Sequence, residues 1–438
     1  MLMCILEGIT ANWNHSLAKG SAPGPIDFCP MPAYDFRADD IGEMVMISRD
    51  AISPRTPKGQ PLELEVGGRQ LEAFVSVHHS GAGPGILFLP GGGIDPSMRA
   101  RADLFAEEGY CVLAVDLGEP ASSSDVAEAA NLLRAMPQSE GKTIAIGHGS
   151  GAALALAAAS QAGFDCIVAF DATGVSDDAL SNRPCPAALL FGTMDAADAA
   201  GDVERLRANF DAKDGSGIYD FPDAAPQFSL PGRDSWDKRI DSLAHSRALE
   251  IIRRIAGPYY DLVGLFAEHV RHEFETLDVD ATMATMVDEP YVNHVPTLSG
   301  GVGHDLLKRF YKYHFIGQNN KDRDSVTVSQ TIGPDRVVLE SVVRFRHDEV
   351  IDRMYSGIEP TGEYVEIPLV LLVKFRGDRV CHEHIHWDQG SALAQIGVLD
   401  ATDLPIAGPE AAHKLLDETL PSNQFMLDVW ATSEGKPV

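Results

Sequence analysis

The chain has 438 residues, of which 45% are apolar and 23% are charged. This length favours two or three globular domains over one, and the apolar fraction excludes wholesale disorder. With 35 Lys and Arg against 64 Asp and Glu, the formal net charge is −29, which disfavours nucleic acid and anionic membrane surfaces as partners.

Residues 1–44 are rich in Pro, Gly and Asp and lack sustained periodicity, so we predict an irregular leader. The first residues lack the basic start and cleavage site of a signal peptide. No apolar run approaches the roughly 20 residues that a membrane helix needs. The six cysteines are scattered without a C-x-x-C pair, which makes disulfides improbable and a reducing cytoplasm the expected location.

Residues 45–256 alternate short apolar strands with Ala- and Leu-rich helical stretches. The clearest strands are GILFLP, CVLAVD, TIAIG, CIVAFD and AALLFG. Near-continuous apolar strands separated by helices predict a doubly wound, mainly parallel sheet covered on both faces, an α/β domain. Gly257-Pro258 should end its last helix.

Residues 257–438 begin with helices and continue with long β-type runs, the last of them DRVCHEHIHWD at 378–388. Helices followed by consecutive strands predict an α+β domain with a curved antiparallel sheet.

The segment TIAIG-HGSG-AALALAAAS reads as strand, tight turn and helix, the setting of a nucleophile elbow. The framing residues Gly147 and Gly151 place the nucleophile position on Gly149, which has no side chain with which to attack. Ser150 lies one position late, and using it would put His148 where the turn normally needs glycine.

GILFLPGGG, DLFAEEGYCVLAVDLGEP, IGHGSGAALALAAA and LLFGTMDAAD resemble the dienelactone hydrolase family over about residues 60–255. The resemblance puts the nucleophile on Gly149, the acid on Asp195 and the histidine at or near Pro226. The glutamate that usually follows the first core strand falls within Gly91–Gly93. Only the acid survives, which predicts a hydrolase scaffold without its triad.

The same loop has a second interpretation. Gly147-x-Gly149-x-x-Ala152 fits a dinucleotide fingerprint, with Asp171 about where a ribose-binding acid would lie. Against it, strands and a helical crossover already precede the loop. Pro90 to Gly93 could supply backbone amides for an oxyanion, although such a run is more often a permissive turn.

In CHEHIHWDQ the period of a strand places four polar residues on one face: His382, His384, His386 and Asp388. The other face carries Cys381, Glu383, Ile385 and Trp387. The polar row could be a metal site, a solvated face or the lining of an acid–base pocket.

EPYVNHVPTLSGG, GDRVCHEHIHWD and the D-x-x-x-x-L-x-Q-I-G pattern from Asp388 resemble SnoaL-like polyketide cyclases of the nuclear-transport-factor-two-like superfamily, over about residues 259–400. The resemblance implies a cone-shaped cavity, proton transfer by Asp388 without metal or organic cofactor, and His294 facing the same cavity. It also implies a homodimer. His382 and His384 stand where the family often has Glu and Trp.

Other polar residues of this part are less informative. Tyr311 either reaches the cavity or packs in the core, and Asn293 is placed to orient His294. His269, His272 and Glu273 form H-x-x-H-E, which matches no metalloprotease motif, so we predict exposed helix residues.

Together these patterns predict a cofactor-independent acid–base enzyme that acts on a small carbonyl-containing or polyketide-like molecule by cyclisation, hydration, dehydration or isomerisation. The predicted catalytic residues are Asp388, His294 and His384, and the predicted substrate-binding residues are His382, His386, Trp387, Asn293 and Tyr311. We predict no bound metal or cofactor, and no partner besides the substrate and a second copy. The alternatives are a lactone or ester hydrolase acting through Ser150 and Asp195, and a non-catalytic ligand-binding or scaffold protein.

Overall fold

The structure is a computed structural model that describes residues 57–437. The predicted leader at 1–44 lies outside the described residues.

The N-terminal part is built on an eight-stranded sheet in the order β1-β2-β4-β3-β5-β6-β7-β8. Its strands are β1 Gln60–Val66, β2 Arg69–Val77, β3 Gly83–Leu89, β4 Cys111–Val115, β5 Ser139–His148, β6 Cys166–Phe170, β7 Ala187–Gly192 and β8 Gly217–Phe221. The pairs β1/β2 and β2/β4 are antiparallel and the remaining pairs are parallel. The prediction of a mainly parallel α/β sheet is confirmed.

Helices cover both faces of this sheet. They are α1 Pro96–Glu107, α2 Ser123–Ala135, α3 Ser150–Ala162, α4 Asp177–Ser181, α5 Ala197–Asn209 and α6 Lys238–Ala256. Helices α2, α3 and α5 contribute to one apolar core, and α1 and α6 contribute to the core on the opposite face. Every residue of β4 and β6 is buried, as expected of parallel strands packed on both sides.

The C-terminal part contains a six-stranded sheet in the order β10-β9-β14-β13-β12-β11. Its strands are β9 Met286–His294, β10 Ser299–Val302, β11 Asp324–Ile332, β12 Arg336–Arg346, β13 Tyr364–Arg376 and β14 Arg379–Trp387. The sheet is antiparallel as predicted, except that β9 and β14 pair in parallel. That pairing places β9, the first strand of this sheet along the chain, beside β14, the last.

Seven helices accompany this sheet in the described part of the chain. They are α7 Leu262–Phe274, α8 Val279–Ala284, α9 His304–Phe310, α10 Asp352–Tyr355, α11 Gln389–Gln395, α12 Glu410–Leu416 and α13 Leu427–Ala431. Helix α9 runs into a π-helical turn at Tyr311–Phe315. Residues of α7, α8 and α9 pack with the sheet in one apolar core, and α10 and α11 pack in a second.

The two parts meet along α6 and the turn between β13 and β14. Glu108, at the end of α1, accepts hydrogen bonds from Arg253 Nη2 at 2.6 Å and from the Gly377 amide at 2.9 Å. Ser246 Oγ donates to Asp335 Oδ2 at 2.7 Å, and Lys374 Nζ donates to Ser242 Oγ at 2.6 Å. Polar side chains therefore join the two sheets. No helix in the described part of the chain is long and apolar enough to cross a membrane.

Candidate functional site

The turn between β5 and α3 has the elbow geometry that the sequence predicts. Gly149 adopts φ 56° and ψ −123°, a conformation that strains any residue with a side chain. A Cβ on Gly147 would lie 2.4 Å from Ala152 Cα, and a Cβ on Gly151 would lie 2.3 Å from the Leu89 carbonyl oxygen. The framing glycines are thus sterically required, and the residue presented at the elbow has no nucleophilic atom.

The residues at the other triad positions implied by the resemblance do not supply a triad. Ser150 Oγ donates to the Gly91 carbonyl at 3.2 Å. Asp195 is exposed, and Pro226 supplies no ionisable group. His148 is buried and its ring stacks on Phe170 at 4.7 Å between centroids. The expected loss of the triad therefore agrees with the geometry.

Asp171 follows β6, the strand that pairs with β5 and whose last residue, Phe170, accepts a hydrogen bond from the Gly149 amide. Its side chain is buried, and its carboxylate accepts backbone hydrogen bonds from Gly192 at 2.8 Å and Gln227 at 2.7 Å. Burial raises the pKa of Asp171 to about 6. Each carboxylate oxygen already accepts a backbone hydrogen bond, one from the end of β7 and one from the loop after β8, so the geometry does not support the dinucleotide interpretation, which needs Asp171 for a ribose.

The C-terminal part encloses a cavity of about 150 Å³ between its sheet and α7. Much of the wall is apolar, formed by Phe266, Val270, Phe274, Leu339, Ile385 and Trp387. The polar residues of the wall include Glu273, His294, Asn320, Arg323, Arg353 and Glu383.

The alternation along β14 is as predicted, but the face assigned to the cavity is wrong. Glu383, Ile385 and Trp387 line the cavity. His382, His384 and His386 point to the opposite side, where the His382 and His384 rings stack at 4.7 Å. Burial lowers the pKa of His382 to about 3, with His384 adding to the shift. The alternation of side chains along a strand assigns residues to its two faces, but it does not show which face lines the cavity.

Asp388 does not lie in the cavity. It is exposed and caps α11, with its Oδ1 accepting from the Ser391 amide at 3.1 Å. Asn293 lies on the opposite side of β9 from His294, paired in register with Gly300 and His384. The predicted catalytic position of Asp388 and the orienting role of Asn293 are therefore not supported by the geometry.

Two carboxylates of the cavity wall, Glu273 and Glu383, instead form an acid–base cluster with His269, and we had predicted His269 and Glu273 to be exposed helix residues. His269 is 0% exposed, Glu273 4% and Glu383 5%. His269 Nε2 lies 3.2 Å from Glu273 Oε1 and 3.3 Å from Glu383 Oε1. His269 and Glu273 are one turn apart on α7 and share a face, and Glu383 meets them from β14. The signal available in the sequence was a single acid within the otherwise apolar face of the last strand.

The tautomer of His269 follows from its surroundings. The Thr285 hydroxyl donates to the Thr282 carbonyl at 2.7 Å, so it accepts from His269 Nδ1–H at 2.6 Å. Nε2 is therefore the atom that gains and loses a proton. Tyr311, buried in the π-helical turn, places its hydroxyl 3.3 Å from the same nitrogen. Tyr311 thus packs in the core, behind the cavity wall.

The pKa values of two groups in this cluster, Glu383 and His269, are raised. Burial raises the pKa of Glu383 to about 7, and the Glu273 charge adds to the rise against the opposing effect of His269. Burial would lower the pKa of His269, but the Glu273 and Glu383 carboxylates outweigh it, so the pKa is raised. A carboxyl group such as Glu383, which exchanges its proton near pH 7, suits general acid–base catalysis.

Two of the predicted residues do reach the cavity wall. His294 donates from Nδ1 to the Ser299 carbonyl at 3.2 Å, which leaves Nε2 as an acceptor. Burial lowers the pKa of His294 to about 3, with Arg353 adding to the effect, so the ring is neutral. Trp387 packs at 6.0 Å from His294 between ring centroids.

Two groups of described residues could hold a cation: His269 with Glu273 and Glu383, and His78 with His79 and Asp378. The predicted row of His382, His384 and His386 is not one of them. Arg323 and Arg353 line the same cavity as Glu273 and Glu383. Their positive charges disfavour a metal ion bound by the first of these groups.

A family profile described as "Alpha/beta hydrolase family" matches residues 86–308, which is half of the chain. No curated protein matches the sequence. The solved structures that are similar include a putative dienelactone hydrolase from Klebsiella pneumoniae subsp. pneumoniae MGH 78578, at 16% identity and a TM-score of 0.40 over 44% of this chain and 96% of that one. A dienelactone hydrolase from Anabaena variabilis ATCC 29413 is 19% identical, with a TM-score of 0.39 over 46% and 100% of the two chains. Thermogutta terrifontis esterase 2 is 16% identical, with a TM-score of 0.36 over 47% and 97%.

The family match supports an enzyme of hydrolase type and so favours the alternative of an ester or lactone hydrolase over the cyclase prediction. The comparisons lend no support to the SnoaL-like resemblance of the C-terminal part, which stays a prediction.

Proposed function

The chain belongs to the alpha/beta hydrolase family, and we propose that it is an enzyme whose proton-transfer chemistry takes place in the cavity of the C-terminal sheet. The observation that carries this proposal is the position of His269 Nε2 between two buried carboxylates, Glu273 and Glu383, that line the cavity. The elbow of the N-terminal part presents Gly149, so covalent catalysis has no nucleophile at its usual position.

In the proposed reaction, ionised Glu383 is the general base. It removes a proton either from the carbon next to a substrate carbonyl or from a water that adds to that carbonyl. The cluster then returns a proton to the oxygen that gains charge, with His269 holding the proton in between. Thr285 fixes the ring of His269 so that only Nε2 takes part. Neutral His294 would accept a hydrogen bond from a substrate hydroxyl.

The substrate class is a small, largely apolar carbonyl compound, because the cavity wall is mostly aromatic and aliphatic. The reactions open to such a site are enolisation with isomerisation or ring closure, and the addition or removal of water. The chain supplies the acid and the base itself, so the proposal needs no cofactor.

The experiment is solvent deuterium exchange, followed by NMR on a panel of small enolisable ketones and lactones. We expect the wild type to incorporate deuterium next to the carbonyl of at least one compound and the Glu273→Gln, Glu383→Gln double variant to lose this activity. Asp388→Asn is the matched control, because Asp388 is an exposed cap outside the cavity and Asn still caps the helix. Equal exchange by the wild type and the double variant, or loss of exchange on chelation with EDTA, would contradict the proposal.

A second candidate function is ester or lactone hydrolysis in the N-terminal part. Two observations favour it: the preserved elbow, and the buried Asp171 with its pKa raised to about 6 beside it. Ser150 directly follows Gly149 in the chain.

Fluorophosphonate labelling separates the two candidates. We expect no adduct on the wild type by intact mass, because Ser150 Oγ is bound to the Gly91 carbonyl and no described histidine contacts it. Ser150→Ala is the control. A stoichiometric adduct that disappears in Ser150→Ala would move the chemistry to the elbow.

A further inference from the structure

The cavity wall contains a guanidinium group that has no counter-ion among the described residues. Arg323 packs with its Cζ 4.4 Å from the Phe274 ring centroid, and its buried Nη1 has no hydrogen-bond partner in the described part of the chain. Among the described residues, no carboxylate lies within 4.0 Å of its guanidinium nitrogens, although the Glu273 charge acts on it from further away. Burying a cation in apolar surroundings is costly unless an anion accompanies it.

A second guanidinium group lies in the same wall. Arg353 stacks on Phe315 with its Cζ 4.6 Å from the ring centroid. Its nitrogens donate to the Gln318 carbonyl at 2.9 Å and to Asn319 Oδ1 at 2.7 Å, and both of these acceptors are neutral. Burial lowers the pKa of Arg353 to about 9, and repulsion from Arg323 adds to the shift. Two like charges are thus held near each other in a largely apolar cavity.

We propose that the cavity binds a small apolar carboxylate, whose carboxylate group pairs with Arg323 beside Arg353. The planar guanidinium fork matches the geometry of a carboxylate, and the rings of Phe274 and Phe315 hold both forks in place. A monoanion fits better than a dianionic phosphate, because Glu273 and Glu383 belong to the same wall and repel additional negative charge. A cavity of about 150 Å³ accommodates a body about the size of one aromatic ring.

Binding of a carboxylate at Arg323 does not depend on the proposed function. Only the identification of this carboxylate as the substrate rests on it. With its carboxylate at Arg323, the ligand would extend along the apolar wall toward Glu383. The substrate class would then be a small carboxylic acid with a second, reactive carbonyl.

The test is calorimetric titration of the full chain with benzoate, with its neutral isostere benzamide and with phenyl phosphate. We expect benzoate to bind about 10- to 100-fold tighter than benzamide, the range of one charge-assisted hydrogen bond to a desolvated group. Arg323→Gln should remove this preference, and Arg323→Lys should retain part of it, which guards against a variant that does not fold. Arg309→Gln is the matched control, an exposed arginine of the same part of the chain.

Equal binding of benzoate and benzamide to the wild type, or tighter binding of phenyl phosphate than of benzoate, would overturn the inference. The Glu383→Gln variant tests the anion site independently of the proposed proton-transfer activity. If this variant keeps the benzoate preference, the anion site stands whether or not deuterium exchange is found. If exchange is found without any benzoate preference, only the anion site is refuted.

Discussion

Replacing Glu383 by glutamine is expected to lower kcat of the cavity reaction by about 10²- to 10⁴-fold, the usual contribution of a positioned general base. The change removes the carboxylate that lies 3.3 Å from His269 Nε2 and lines the cavity. The amide of glutamine is nearly isosteric and can donate to the same nitrogen, so the fold should be retained. The measurement is kcat and KM of the wild type and the variant on the compound that exchanges fastest.

The pH dependence gives the same prediction a second readout. Because the pKa of Glu383 is raised to about 7 and the base acts in its ionised form, kcat/KM should rise as pH increases through about 7 and then level off. This limb should be absent in Glu383→Gln and unchanged in Glu340→Gln, a partly exposed acid of β12 that accepts from Ser329. If kcat/KM of the wild type instead decreased as pH increased through 7, Glu383 would act as the acid, which would contradict the proposal.

The sequence predicted the N-terminal part well because its signals are local. Runs such as those of β4 and β6 are apolar throughout and become fully buried parallel strands. The elbow was located to the residue, because a tight strand-to-helix turn allows only glycine where a Cβ would collide with neighbouring backbone, as at Gly147 and Gly151.

The C-terminal site was mislocated because its residues come together only through tertiary packing. The period of β14 separated Glu383 from His382 and His384 correctly, but the choice of face depends on where α7 packs. A row of histidines looks more like a site than one glutamate among apolar neighbours. A buried single acid is nevertheless the costlier arrangement, and it needs partners such as His269.

The helix motif was misinterpreted for a related reason. H-x-x-H-E matches no catalytic consensus, yet a spacing of four residues places His269 and Glu273 on one face of α7. The π-helical turn that sets Tyr311 beside His269 has no signature in the sequence that we recognised. Asp388 shows the converse case, in which a residue that resembles a catalytic acid serves as a helix cap.

Replacing Glu108 by glutamine is expected to destabilise the protein by about 3–5 kcal/mol, because the change breaks a buried ion pair and leaves its partners uncompensated. Glu108 is 1% exposed and accepts from Arg253, His245 and the Gly377 amide at 2.6, 3.0 and 2.9 Å. Since Gly377 belongs to the C-terminal sheet, the loss should also loosen the junction between the two parts. Urea unfolding at pH 7 measures the first effect, and amide hydrogen exchange of the turn around residue 377 measures the second.

The stabilising effect of Glu108 should disappear in acid. Burial would raise its pKa, but Arg253 and His245 outweigh that effect and hold the pKa at about 2, against 4.5 for the free side chain. Its contribution is therefore fully present above about pH 4.5 and is lost as pH falls toward 2, so the difference between wild type and Glu108→Gln should shrink over that range. Glu72→Gln is the control, because Glu72 forms an exposed ion pair with Arg99 and should cost less than about 1 kcal/mol. A difference between wild type and Glu108→Gln that stays constant from pH 7 to pH 3 would show that packing, and not the charge of Glu108, holds the two sheets together.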